Sequence, residues 1–146
     1  MLAIIQLSRI SGQSKPLWSQ TRVLYAYLAS VNHEILYIGK ADGTTVRQRW
    51  TRSAKEGFWA DLEKERRILR HGILAGEIEL EKGYRLTREL LADIESLLIK
   101  RISPWGNIQS RWSRILRPGL RVICKGEWPL KRRDFRDIST GYIYPQ

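Results

Sequence analysis

The sequence predicts an α+β domain in which a short antiparallel or mixed three-stranded sheet packs with helices, flanked by N- and C-terminal extensions. Three patterns carry this. Residues 23–29 and 34–39 are short runs rich in β-branched and aromatic side chains, and the polar stretch 30–33 between them makes a hairpin. Residues 77–81 alternate strictly, with Ile78 and Leu80 inward and three glutamates outward, which is the period of a half-buried strand. Leu90, Leu91, Ile94, Leu97 and Leu98 recur at helical spacing behind Thr87, a good N-cap, and trace a core-facing stripe through Ile102.

The remaining elements follow from local signals. Residues 2–7, LAIIQL, predict an extra strand appended to the core, and Gly12, Ser14 and Pro16 mark the loop that leads from it into the hairpin. After the hairpin, Asp42-Gly43-Thr44 breaks the strand pattern, and Thr45 with Gln48 forms a capping box. The helix it starts is expected to run to about residue 55, with Arg47 and Arg49 near its beginning and Val46 and Trp50 facing inward. A second helix is expected over residues 58–70, its mixed charges forming a solvated face, before His71-Gly72 ends it. Gly119 and Gly126 bracket a further strand at 120–124.

A chain of 146 residues with 42% apolar content predicts one domain with a modest core. Its 26 basic against 15 acidic residues give a formal charge of +11, which favours a polyanionic partner, nucleic acid before anionic membrane. Most of that surplus falls between residues 99 and 136, where Glu127 and Asp134 are the only acids. Trp105, Trp112 and Trp128 are interleaved there, a pattern compatible with phosphate contacts and stacking, although tryptophans also serve simply as packing. Arg47, Arg52, Arg111, Arg114 and the run Lys131-Arg132-Arg133 are the candidate nucleic-acid contacts. Cys124 is the sole cysteine, so an intrachain disulfide is excluded and a reducing, cytoplasmic setting is expected. Two histidines without a cysteine cluster do not suggest structural zinc. No window reaches the roughly 18 apolar residues of a membrane span, and the N-terminal apolar run lacks the basic leader of a signal peptide. No membrane association is expected.

Two placements matter for chemistry. Side chains alternate across a strand, so if the hairpin pairs odd with odd positions, Tyr25 and Tyr37 share a face, while a one-residue slip separates them. On a helical wheel Glu95 falls at the margin of the buried stripe, where a carboxylate needs a cation, hydrogen-bond donors or water. A salt bridge is the plain explanation of such a residue, and metal binding is the functional one.

The stretch VLY at 23–25, followed by LYIGKA with Tyr37-Ile38-Gly39, resembles the signature of the GIY-YIG nuclease family. Val46-Arg47-Gln48-Arg49-Trp50 is similar to the family's helix pattern, and IESLLIKRISPWGN to its glutamate helix followed by a proline turn and an asparagine. Two positions depart from the pattern: Val23 replaces its first glycine, and Ser53 stands where many members carry a histidine or tyrosine. The resemblance covers residues 23 to about 110, leaving 111–146 as a basic C-terminal extension.

What the resemblance implies is a metal-dependent DNA endonuclease with a GIY-YIG-like core. Tyr25, Tyr37, Lys40, Arg49, Glu95 and Asn107 would be its site residues, with Glu95 holding one Mg²⁺ or Mn²⁺. Arg49 follows from aligning the helix pattern, and Arg47 from counting strictly from Tyr37. Either Tyr25 or Tyr37 would act as general base or orient the water, helped by positive charge from Lys40 and Arg49, because an ordinary phenol is a weak base at neutral pH. Asn107 would fix Glu95 or contact a phosphate. The alternative is a non-catalytic nucleic-acid-binding module with the same fold, and RNA remains open as a partner beside DNA.

Overall fold

The structure is a computed structural model that describes residues 1–10, 22–51, 56–107 and 119–137. Its strands are β1 (Leu2–Ile10), β2 (Val23–Ala29), β3 (Ile35–Ala41), β4 (His71–Leu80), β5 (Arg121–Gly126) and β6 (Asp134–Arg136). Helices α1 (Val46–Thr51) and α2 (Glu56–Arg66) separate β3 from β4, and α3 (Arg88–Ile102) and a 3-10 turn (Trp105–Asn107) follow β4. Among the described residues no helix is long and apolar enough to cross a membrane.

The strands form one six-stranded sheet in the order β3-β2-β4-β1-β5-β6. This corrects the three-stranded expectation. The strands on which that expectation rested, β3, β2 and β4, are neighbours, but β1 pairs antiparallel with the free side of β4 and parallel with β5, whose outer side takes β6. Residues 2–7 are therefore interior to the sheet rather than an appendage. The physical reason is that β1 buries Ala3, Ile5 and Leu7 and carries ladder groups on both sides, so it needs two partners. One of them, β5, comes from the far end of the sequence.

Burial sorts the side chains into two cores. Leu24, Ala26 and Leu28 of β2, Ala3, Ile5 and Leu7 of β1, and Val122 and Cys124 of β5 pack with Leu90, Ile94, Leu97 and Leu98 of α3. On the other face of β2, Val23, Tyr25, Tyr27 and Ala29 pack with Val46 of α1 and Leu62 of α2. All seven residues of β2 are consequently buried. The sheet curls round α3: Ile35 of β3 and Phe135 of β6, from opposite ends of the strand order, line one cleft with Ile102 and Trp105.

Local signals set several boundaries and missed others. The capping box is formed reciprocally, with Thr45 N–H donating to Gln48 Oε1 at 2.8 Å and Gln48 N–H to Thr45 Oγ1 at 3.1 Å. Thr87 Oγ1 accepts from Leu90 N–H at 3.1 Å as the N-cap of α3. Helix α2 ends at Arg66, four residues earlier than expected, and Arg67 follows in the left-handed region at φ 54°. Strand β4 begins at His71, because residues 73–76 are buried on both faces and show no alternation; only 77–80 has a wet side to alternate with.

Candidate active site

The hairpin ladder pairs odd with odd: Tyr25 opposite Gly39, and Tyr27 opposite Tyr37. Three phenols therefore leave the sheet on one face. Ring centroids are 5.3 Å apart for Tyr25 and Tyr27, 5.3 Å for Tyr27 and Tyr37, and 6.2 Å for Tyr25 and Tyr37. Phe58 of α2 closes against Tyr37 at 5.6 Å and Tyr27 at 5.9 Å. Tyr25 leans over its cross-strand partner, where a Cβ on residue 39 would lie 2.5 Å from its Cζ and Oη and 2.9 Å from Cε2 of Tyr37. Only glycine leaves this space.

From the opposite face, α3 brings Glu95 to the open edge of β3. Its Oε1 lies 3.4 Å from Lys40 Nζ, with the carboxylate 17% and the lysine 29% exposed. The backbone N–H of Lys40 also acts on this carboxylate. Asp42, just beyond β3, anchors the arrangement by accepting from Arg22 Nε at 3.3 Å and from Arg88 Nε, at the start of α3, at 3.2 Å. Asn107 serves the same edge. It accepts from Ile38 N–H at 2.7 Å and donates to Ile38 C=O at 2.9 Å, as a paired strand would. Both ends of its amide are thus occupied by β3, two residues before Lys40, and not by Glu95.

Arg49 completes the cluster. Its positive charge bears on all three phenols and on Glu95. Its Nε is buried and has no hydrogen-bond partner among the described residues, which leaves a donor unspent. Arg47, the other arginine of this turn, is exposed. The side chain of Trp50 and the whole of Ser53 lie outside what is described.

Burial dominates the protonation of the site. It pushes the Tyr25 and Tyr27 phenols well above the ordinary tyrosine range and raises Tyr37 too, and Arg49 pulls against it without prevailing. The expected depression of a phenol by nearby cations is not what this arrangement produces. Lys40 spends its charge on Glu95, whose carboxyl is nonetheless raised by desolvation, with Lys40 and Arg49 opposing the rise. The phenols are neutral hydroxyls near pH 7.

The basic candidates disperse. Arg52, Arg111 and Arg114 lie outside the described residues, as does Trp112. Lys131 is exposed; Arg132 lies 5.0 Å over the Phe135 ring; Arg133 donates to the carbonyls of Cys124 at 3.2 Å, Gly126 at 3.4 Å and Trp128 at 3.1 Å. Arg133 is thus a brace of the β5–β6 connection. Trp128 is core, with its Nε1 donating to Arg132 C=O at 2.8 Å. Tyr27, at the middle of the phenol cluster, was not among the candidates, although strand alternation already put it on the face of Tyr25.

Glu95 is the candidate ligand for a single hard cation. It is a partly exposed carboxylate that already draws one cation, the Lys40 ammonium, whereas the space a Cβ at residue 39 would fill is taken by the Tyr25 ring. Among the described residues no group of three or more His, Cys, Asp or Glu gathers. An ion here would rely on Glu95 together with water and substrate oxygens, a ligand set that suits Mg²⁺. No protein-family model, no curated protein and no solved structure matches the chain.

Proposed function

We propose that this protein is a metal-dependent endonuclease that hydrolyses DNA phosphodiester bonds through a GIY-YIG-like site. One observation carries the reading: Tyr25 and Tyr37 share one face beside Gly39, and the charges of Arg49 and Glu95, from two further elements, both bear on Tyr37. Hydrolysis needs an oriented water, stabilisation of the extra negative charge in the transition state, and help for the leaving oxygen. Glu95 would hold the Mg²⁺ or Mn²⁺, which supplies Lewis-acid polarisation when bound. The neutral hydroxyls of Tyr25 and Tyr37 orient the attacking water by hydrogen bonding, a role that suits phenols whose proton is held tightly. The guanidinium of Arg49 stabilises the developing charge, a contribution of about 3 kcal/mol for one well-placed donor. Lys40 is held against Glu95 beside this site, and Asn107 pairs with β3 at Ile38.

The deciding experiment is incubation with supercoiled plasmid and Mg²⁺ or Mn²⁺, scoring nicked against linear product. Wild-type protein should cleave and Glu95→Ala should not. Intact plasmid with clean wild-type protein, or equal cleavage by the variant, defeats the reading. The second reading, a non-catalytic nucleic-acid-binding module, is favoured by one feature: Lys40 already satisfies Glu95 within the protein. It predicts salt-dependent binding with no metal requirement.

A further inference from the structure

The curl of the sheet leaves a cleft of about 350 Å³ between its two edge strands, β3 and β6. Its floor is apolar, lined by Ile35, Ile102, Trp105, Leu130 and Phe135. Its charge is positive. Arg101 and Arg132 line the same cleft, and neither has a carboxylate partner among the described residues. They are held by backbone carbonyls instead: Arg101 Nε and Nη2 donate to Arg136 C=O at 3.2 and 2.9 Å, and Arg132 Nε to Asp134 C=O at 3.3 Å. Each guanidinium is thereby fixed with its charge unspent. Glu34, the carboxylate among the lining residues, is already taken by Arg66 at 2.7 and 3.0 Å. An occupant that matches this lining is flat and apolar in one part and anionic in another.

The two elements that carry the candidate active site both run on to the cleft. Gly39 lies four residues along β3 from Ile35, about 13 Å at strand spacing. Glu95 lies two turns along α3 from Ile102 and on the same helix face, about 10 Å away. A DNA strand leading from Glu95 to the cleft would cover roughly three to four nucleotides at duplex rise. Within a duplex the base faces are hidden in the stack, so an apolar floor finds nothing there to cover. An unpaired nucleotide presents both a ring face and a phosphate.

We propose that the cleft is a subsite for one unpaired nucleotide of a DNA strand, its phosphate paired with Arg101 and Arg132 and its base laid on the apolar floor. The planar guanidinium of Arg132, 5.0 Å over the Phe135 ring, makes one wall against which a base stacks. The subsite would select DNA with a single-stranded flank a few nucleotides from the scissile bond over continuous duplex. That selection during cleavage rests on the nuclease reading above; the binding itself does not.

The test is fluorescence anisotropy in EDTA, so that nothing is cleaved, with a labelled blunt duplex and the same duplex carrying a single-stranded flank of roughly four nucleotides. Wild type should bind the flanked duplex about 10-fold more tightly, and a flank of abasic sites, which keeps the phosphates, should lose most of that gain. Arg101→Ala and Arg132→Ala should each cut the preference to within about threefold. Lys64→Ala, which removes an exposed cation outside the cleft, should leave the preference as it was. Equal affinity of wild type for the two duplexes overturns the proposal and leaves the cleft to a free nucleotide or a protein partner. A preference retained by Arg132→Ala, or by wild type on the abasic flank, also overturns it. Should the arginine variants fail to fold, the abasic flank decides with wild-type protein. Uncleaved plasmid with Mg²⁺ defeats the nuclease reading alone, and a flank preference then still upholds the subsite.

Discussion

Tyr25 and Gly39 face each other across the β2–β3 ladder, and the phenol occupies the space that any larger residue at position 39 would claim. Gly39→Ala therefore tests the site without touching a titratable group. The new methyl would meet Tyr25 Cζ and Oη at 2.5 Å, too close to be absorbed without moving the ring. Overpacking of this kind costs roughly 1–3 kcal/mol in stability. Nuclease activity should fall by about 100-fold through displacement of the phenol. Denaturant unfolding and plasmid nicking measure the two effects separately.

Arg49→Ala and Arg47→Ala should differ. Arg49 bears on every phenol and on Glu95, whereas Arg47 is exposed. Loss of Arg49 should lower kcat by roughly 100- to 1,000-fold, as for removal of one preorganised transition-state donor. Loss of Arg47 should leave kcat nearly unchanged. Single-turnover cleavage of a labelled duplex distinguishes them.

Glu95→Gln should stabilise the metal-free protein at neutral pH while abolishing cleavage. Desolvation raises the Glu95 carboxyl, so the native state holds that proton more tightly than the unfolded chain does. The stability this group contributes is complete below the ordinary carboxylate range and is lost as pH rises through the raised native value. The variant should melt a few degrees above wild type at pH 8, and the gain should vanish at pH 4. Thermal melts across that range check the sign, and a wild type that is the more stable at pH 8 would contradict it.

Asn107→Ala should destabilise the fold by about 2–4 kcal/mol, because it leaves the Ile38 N–H and C=O unpaired at a buried position. The damage falls on β3. Hydrogen exchange should quicken at the Ile38 amide before it does elsewhere in β2 and β3.

Lys131→Ala and Arg133→Ala separate binding from bracing. Lys131 is exposed, so if it meets a phosphate its loss should reduce the salt slope of DNA binding by about 1. Arg133 donates to three backbone carbonyls. Its loss should lower stability and leave the slope as it was. Fluorescence anisotropy over a salt series, with a melt of each variant, reads both.

While the shared face of Tyr25 and Tyr37 waited on the hairpin register, the hairpin, the capping box of α1 and the N-cap of α3 were legible from residues alone. Each depends on contacts between near neighbours in sequence: alternation along a strand, or a side chain reaching a backbone amide three residues on. The first half of β4 was hidden, because a segment buried on both faces has no wet side to give it a period.

What only the tertiary structure decided is who meets whom. Residues 2–7 read as an appendage until β5 supplied their second edge, and Asn107 read as a partner of Glu95 or of a phosphate, whereas the fold lays it along Ile38. The protonation of the phenols belongs here as well. Sequence showed the cations near Tyr25 and Tyr37, but burial acts through everything packed around a group, and it outweighs the charge of Arg49. Sequence by itself thus determined the residue types and their strand and helix faces, because those follow from short-range geometry. Folding decided the six-stranded order, the pairing of Lys40 with Glu95 and the neutral state of the phenols, because long-range pairing and desolvation depend on the assembled whole.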